Sequence, residues 1–597
     1  MIKILTIISI LSIIFILFLS LLFYHYLKSD FLISLVLSIN VISFIKMFFF
    51  FFNINQFFSL LLIFTNILLV VFLFNIKSKL NFSFKFNNFK PNKKLDKKTI
   101  INVLLLLIPL IFSSYLFLTN THISLQEDDL MYHLPLIREI SNDNYQFDKL
   151  HNITNNTFIL TYRYFPLLVE SLFSLFYNTI LFRLLPLFIF LLLIFSLYKI
   201  AKYVLKNHLK SSYELFHNVI LLFIITLPIL FIQSNRFYVD LFLTLNSILA
   251  IFTLFKIYKS GFTFSNSLTL GIFILSMNLT KMSGLTFTIP IFFMLMYKFD
   301  LKRIKHFLLI GSFYFLSSIH YLKNITFFGT VSGVNIEELG FFNYIIKFFS
   351  GFLNNINYSD KIFFLFILAL VAILIFYKKR DNLLYFSSIY SLLSLLMFIM
   401  TSIISRQKLI MIHNFYFRYL LTSFVLFSLI VLIYLFESRK YYGKLTLLFL
   451  LSFFILLNIQ SYYEININTS ITQKNLLSVI ESYPLSHFAD IINSDQDYSV
   501  TDRYHSRVFT ETDRVTYFIE DPFRTISFSK EGMAEDIVGI CQNNNYMVLK
   551  EEGHYNQSRA YVKTENHILF SELEDYNYEA ITYENNYNKY TLIICQN

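Results

Sequence analysis

The sequence predicts an α-helical protein that crosses a membrane many times and ends in a small soluble domain of α/β or α+β type. Three observations carry that expectation. Of 597 residues, 56% are hydrophobic and only 15% charged, with a mean hydropathy of +0.59. Ordinary soluble domains hold about 45–50% apolar and about 25% charged residues, so soluble, fibrous and disordered classes fall away. Apolar runs long enough to cross about 30 Å of hydrocarbon recur as far as Ile459. Charge is also split along the chain. Of 38 acidic and 49 basic residues, 21 and 10 lie from Ser461 onward, a net of −11; the first 460 residues then hold 17 and 39, a net of +22.

In chain order the apolar runs fall near 3–24, 31–52, 57–76, 100–119, 181–198, 217–234, 239–257, 266–280, 284–298, 306–322, 361–377, 383–404, 418–436 and 444–460. The first has an apolar stretch longer than a cleavable signal needs and no small-residue cleavage site, so it reads as an anchor. Basic residues gather between the runs. Eight lysines fall within 77–98, and further clusters follow later spans: Lys199, Lys202 and Lys206; Lys298, Lys302, Arg303 and Lys305; Lys378, Lys379 and Arg380; Arg439, Lys440 and Lys444. This is positive-inside patterning rather than a nucleic-acid surface, and it predicts that all these clusters are cytoplasmic. They share one face only if the stretch 166–178, about 13 residues with Glu170 inside, does not cross. Fourteen spans with both termini outside result.

That topology divides the chain into N-terminal spans with a basic cytoplasmic linker (1–99), a transmembrane module (100–460) with outer loops 120–165 and 324–360, and an extracytoplasmic domain (461–597). The last alternates β-rich runs at 498–500, 515–519, 546–550, 580–583 and 590–595 with helical stretches at 472–493 and 531–542. Its length suffices for a core of its own. The two cysteines, Cys541 and Cys595, both lie there; outside the reducing cytosol they form a disulfide or stay as two buried thiols. Trp is absent, but 74 Phe and 40 Tyr supply interfacial aromatics.

The acids left in the membrane module are few, which makes them conspicuous. Glu127, Asp128 and Asp129 stand consecutively in the first outer loop, followed by Tyr132, His133 and an apolar series, Leu134, Leu136, Ile137 and Ile140, suited to an interfacial helix. A carboxylate there can act as a general base or hold a divalent cation; a solvated acidic loop is the other reading. Asp240 is a second outer carboxylate. Outer cations are Arg138, Arg163, Arg236, Lys281, Lys323, Arg406, Lys408 and Arg418. Two outer acids among such cations suit a phosphate-bearing substrate, although any one cation can equally snorkel to headgroups.

In this order the motifs resemble the GT-C glycosyltransferases that use polyprenyl-phosphate sugars, a group that includes protein O-mannosyltransferases and the aminoarabinose transferases of lipid A. The similar features are Asp128-Asp129-x-x-Tyr132 with His133-Leu134-Pro135; Tyr164-Phe165-Pro166-Leu167 with Glu170; Tyr238-Val239-Asp240-Leu241; Thr280-Lys281-x-x-Gly284 with Pro290; Tyr321-Leu322-Lys323-Asn324 with Gly329; and Arg418-Tyr419-Leu420. They span roughly residues 100–440. The resemblance implies a GT-C-like fold and transfer of a sugar from a lipid-phosphate donor to an acceptor hydroxyl of a lipid, glycan or protein. It makes Asp128 the base, with Asp129 beside it. Glu127, Tyr132, His133 and Asp240 would contact substrate, and Lys281, Lys323 and Arg418 would hold the lipid phosphate. The chain departs from the pattern in its three extra N-terminal spans, its Glu-Asp-Asp run and the added His133. Those departures leave open which acid is the base and whether a divalent cation takes part; no metal ligands are assigned. A transporter or flippase of lipid-linked sugars, and a surface-polysaccharide polymerase or ligase, are the competing functions. Transporters tend to show related halves, which this sequence lacks.

Overall fold

The computed structural model describes residues 2–27, 29–51, 61–66, 184–208, 214–227, 230, 239–281, 283–328, 342–343, 346, 383–405, 421–438 and 442–458, together with five strands between 498 and 595. The chain divides into two compact units, Met1–Thr119 with Tyr145–Tyr462, and Asn120–Asn144 with Tyr463–Asn597.

In the first unit the described helices are α1 (Ile2–Tyr26), α2 (Phe31–Phe51), α3 (Leu184–His208), α4 (Glu214–Ile225), α5 (Val239–Ser260), α6 (Phe264–Thr280), α7 (Gly284–Met296), α8 (Ile304–Phe328), α9 (Leu383–Ser405), α10 (Leu421–Ser438) and α11 (Tyr442–Asn458). Most bounds follow the apolar runs to within a few residues, but α3 runs ten residues past 198 and α8 six past 322, and one helix ends early. The run at 217–234 predicts a single span, whereas α4 stops at Ile225 and turns at Thr226. Pro228 explains this, because a proline disfavours helical backbone in the residue before it.

Helix α5 occupies the centre. Eighteen of its 22 residues are buried, as expected of a helix apolar on every side. It packs against α3, α6 and α10; α6 in turn packs against α2, α7 and α8, and α9 bridges α7 and α10. A tight turn joins α5 to α6. Gly261 adopts φ +84°, where an L side chain would be strained, and Thr263 caps α6 by accepting the Asn266 N–H at 3.1 Å.

The exterior is apolar and the interior partly polar, the reverse of a soluble bundle. On α1, Ile10, Ile14, Leu17 and Leu21 are exposed while Ser12 and Ser20 are buried. On α8, Leu308, Phe315, Ile319 and Leu322 are exposed while Ser317 and His320 are buried. Water cannot cover such stripes, whereas lipid can, and small polar residues let membrane helices approach closely. Among the described residues, Phe31–Phe49, Leu185–Val204 and Val239–Ser260 are long and apolar enough to cross a membrane. The architecture is that of a helical membrane protein with several spans.

The second unit contains one mixed five-stranded sheet: β1 (Tyr498–Thr501), β2 (Val515–Phe518), β3 (Tyr546–Glu551), β4 (Tyr578–Glu584) and β5 (Lys589–Cys595), in the order β2-β1-β3-β5-β4. The five strands fall on the five β-rich runs. β1 runs parallel to β2 and β3, so both links are long crossovers, while β5 pairs antiparallel with β3 and, across a short hairpin, with β4. Residues 472–493, 531–542 and Cys541 lie outside the described residues.

Candidate functional site

Two predicted site residues meet at one end of the bundle. Asp240 lies in the first turn of α5, and Lys281 follows the last residue of α6. Because these helices form an antiparallel hairpin, both residues return to the same end. Lys281 donates from Nζ to Asp240 Oδ1 at 2.6 Å, with side-chain exposures of 20% and 2%. Both helix dipoles favour the arrangement, since an N-terminus stabilises the anion and a C-terminus the cation.

The corner after Lys281 holds the lysine in place. Its backbone is extended (φ −159°, ψ 151°); its N–H donates to Met277 O at 3.4 Å, and its carbonyl accepts the Gly284 N–H at 2.8 Å. Gly284 is required because α7 begins hard against α6: a Cβ there would stand 2.1 Å from Met277 O. Beneath the corner, Asn278 links three helices. Its Nδ2 donates to Ser317 Oγ at 2.9 Å, its Oδ1 accepts from Thr288 at 2.7 Å, and its carbonyl accepts from Tyr321 at 3.3 Å. The Tyr314 hydroxyl donates to the Thr288 carbonyl. Every one of these polar groups sits on a helix predicted to be intramembrane, where unpaired groups are costly.

Two further ionisable residues reach the same depth. Asn40 donates to Asn246 Oδ1 at 2.6 Å and accepts from Ser276 at 3.1 Å, so these three residues share one level of the bundle. From that level six residues along α2 lead to Lys46, six back along α5 to Asp240 and five along α6 to Lys281. At 1.5 Å per residue each step is about 8–9 Å. From the level of Asn278 and Ser317, three residues lead to Lys281 and three to His320. Lys46 is 8% exposed and His320 is 2% exposed. Sequence reading passed over both. The signal was present for Lys46, a single cation inside a 21-residue apolar helix; His320 carried no comparable mark beyond its place before Tyr321.

Lys323 lies on α8, three residues beyond His320. Glu127, Asp128, Asp129, Tyr132, His133 and Arg418 lie outside the described residues, as do the stretch 166–178 and the spans at 100–119 and 361–377. The opposite end of the bundle is basic: Lys199 and Lys202 on α3, Lys256 and Lys259 on α5, Lys298 after α7, and Lys302, Arg303 and Lys305 around the start of α8. The ring contacts of Lys259 with Tyr203, Lys298 with Tyr258 and Arg303 with Phe262 tie these positions together.

Chemically, the site offers a charge pair at a helix corner. The Lys281 ammonium donates to Asp240, and its partial exposure puts it within reach of an anion such as a phosphate. No protein-family model, curated protein or solved structure matches the chain.

Proposed function

We propose that the protein is an integral-membrane glycosyltransferase of GT-C-like architecture. It moves a sugar from a polyprenyl-phosphate donor to an acceptor hydroxyl of a lipid, glycan or protein on the extracytoplasmic face. The observation that carries this reading is the Asp240–Lys281 pair, buried at the bundle end opposite the basic clusters. The positive-inside rule puts the basic end in the cytoplasm, so the pair and the acids Glu127, Asp128 and Asp129 face outward. On this reading the chain has fourteen spans in a bacterial cytoplasmic membrane, and the α/β or α+β domain at 461–597 is extracytoplasmic.

In the reaction, Asp128 takes the proton of the acceptor hydroxyl while its oxygen attacks the anomeric carbon. The bond from that carbon to the phosphate oxygen breaks, and polyprenyl phosphate leaves with inversion. Asp129, Glu127, Tyr132 and His133 position the reactants; Asp240 fixes Lys281, and Lys281, Lys323 and Arg418 hold the phosphate. A general base contributes about 10²–10⁴-fold. Asp128→Asn in purified, reconstituted protein should therefore lower transfer from a panel of polyprenyl-phosphate sugars by that factor; undiminished transfer refutes the assignment. The buried polar series Asn40, Asn246, Ser276 and Asn278 favours a second reading, a flippase of lipid-linked sugars, because such residues can mark a substrate path. Movement of intact lipid-linked sugar across vesicles, without bond cleavage, would select it.

A further inference from the structure

At the basic end, the seam between α3 and α5 is built from alternating cations and rings. Tyr203 of α3 meets Phe252 of α5 edge-on at 5.2 Å. Lys256 lies over the Phe252 ring at 4.6 Å and Lys259 over the Tyr203 ring at 5.6 Å. Lys199 precedes Tyr203 by one helical turn and so stands on the same face of α3; it also feels the charge of Lys256 directly. Among the described residues, the one acid paired with either Lys199 or Lys256 is Asp30, which forms an ion pair with Lys199. That carboxylate is already engaged at the start of α2, where it accepts the Leu32 N–H at 2.9 Å. Lys199 and Lys256 are both partly buried. Among the described residues, then, Lys199 has one carboxylate partner and Lys256 has none, so one ammonium lacks a described counter-charge near the helix ends.

We propose that this seam is a seat for the headgroup of an anionic phospholipid, whose phosphodiester sits between Lys199 and Lys256 with the aromatic pair beneath it. The chemistry favours a lipid over a soluble anion. The cations rise directly from membrane helices, Lys256 over Phe252 and beside Tyr203, a residue type enriched at the headgroup level, and basic pockets between cytoplasmic helix ends suit anionic headgroups. The seat is independent of any transfer reaction at the other end of the bundle.

The test uses the full chain reconstituted in phosphatidylcholine vesicles with and without phosphatidylglycerol. Phosphatidylglycerol should raise the melting temperature of the wild type, and native mass spectrometry should find at least one molecule retained. Lys256→Gln should lose the thermal increment and weaken retention about fivefold, the contribution of one basic side chain near a charged leaflet. Lys256→Arg should restore both, and Lys302→Gln, an exposed cation at the same end, should change neither. Equal retention by wild type and Lys256→Gln overturns the proposal. So does an equal increment from inorganic phosphate in pure phosphatidylcholine, which would make the seat one for a soluble anion. If Lys256→Gln fails to fold, the wild-type lipid count decides, and no retained phosphatidylglycerol also overturns it.

Discussion

A carboxylate with 2% of its side chain exposed keeps its charge only beside a cation, and Asp240 has Lys281 at 2.6 Å. Removing one member of such a pair costs more than removing both, because the survivor stays buried without a partner. Lys281→Met should therefore destabilise the protein by about 3–5 kcal/mol, while Asp240→Asn with Lys281→Met should regain part of that loss. Thermal unfolding of the full chain in detergent measures both, and a double variant no more stable than the worse single would show that the pair is uncoupled. The pairing was half legible in the sequence. Residues 240 and 281 lie 21 and 20 residues from the turn at Gly261, so any antiparallel hairpin turning there brings them to one end. The depth of Lys46 and His320 was not legible, because it depends on which side chains Asn40 and Asn278 meet, and those partners lie as far as 206 residues away.

At the scale of elements, the helices were readable because their ends carry local signals. Gly261 and Thr263 separate α5 from α6, and Gly284 opens α7 where only a residue without a Cβ fits. What local signals cannot carry is which helices touch. Asn278 shows this: it sits in an apolar run as one polar residue among many, yet it joins α6 to α7 and α8. Leucine is close to asparagine in volume, so Asn278→Leu preserves packing while leaving the Thr288 hydroxyl without its acceptor and Ser317 Oγ without a donor. Interhelical hydrogen bonds within membranes contribute about 0.6 to 2 kcal/mol each, which predicts a loss of about 1–4 kcal/mol for Asn278→Leu. Ser317→Ala removes only one interhelical bond, together with the local bond from Ser317 to the Tyr314 carbonyl within α8, and should cost less. Detergent unfolding ranks the two, and a Ser317→Ala loss equal to or above that of Asn278→Leu would remove Asn278 from the centre of the network.

For the whole molecule, the decisive asymmetry lies between the two ends of one bundle. Lys199, Lys202, Lys256, Lys259, Lys298, Lys302, Arg303 and Lys305 collect at one end; the other holds Lys281, compensated by Asp240, with Lys46 and Lys323. Composition alone could not reveal this, because a formal charge of +11 for the chain averages a basic membrane portion with an acidic tail. Only the alternation of helix direction sorts most of these cations onto one end. Basic residues near membrane helices stay in the cytoplasm, so the asymmetry predicts an orientation that one experiment can read. With Cys541 and Cys595 replaced by serine, a single cysteine is introduced at Gln126 or at Lys302, and intact cells are treated with an impermeant thiol reagent. The cysteine replacing Gln126 should label in intact cells, and the one replacing Lys302 only after lysis. The reverse pattern would invert the molecule and bring the acids Glu127, Asp128 and Asp129 into the cytosol. Labelling of both in intact cells would instead put Gln126 and Lys302 on one side, separated by six crossings rather than five, with the sixth falling at 166–178.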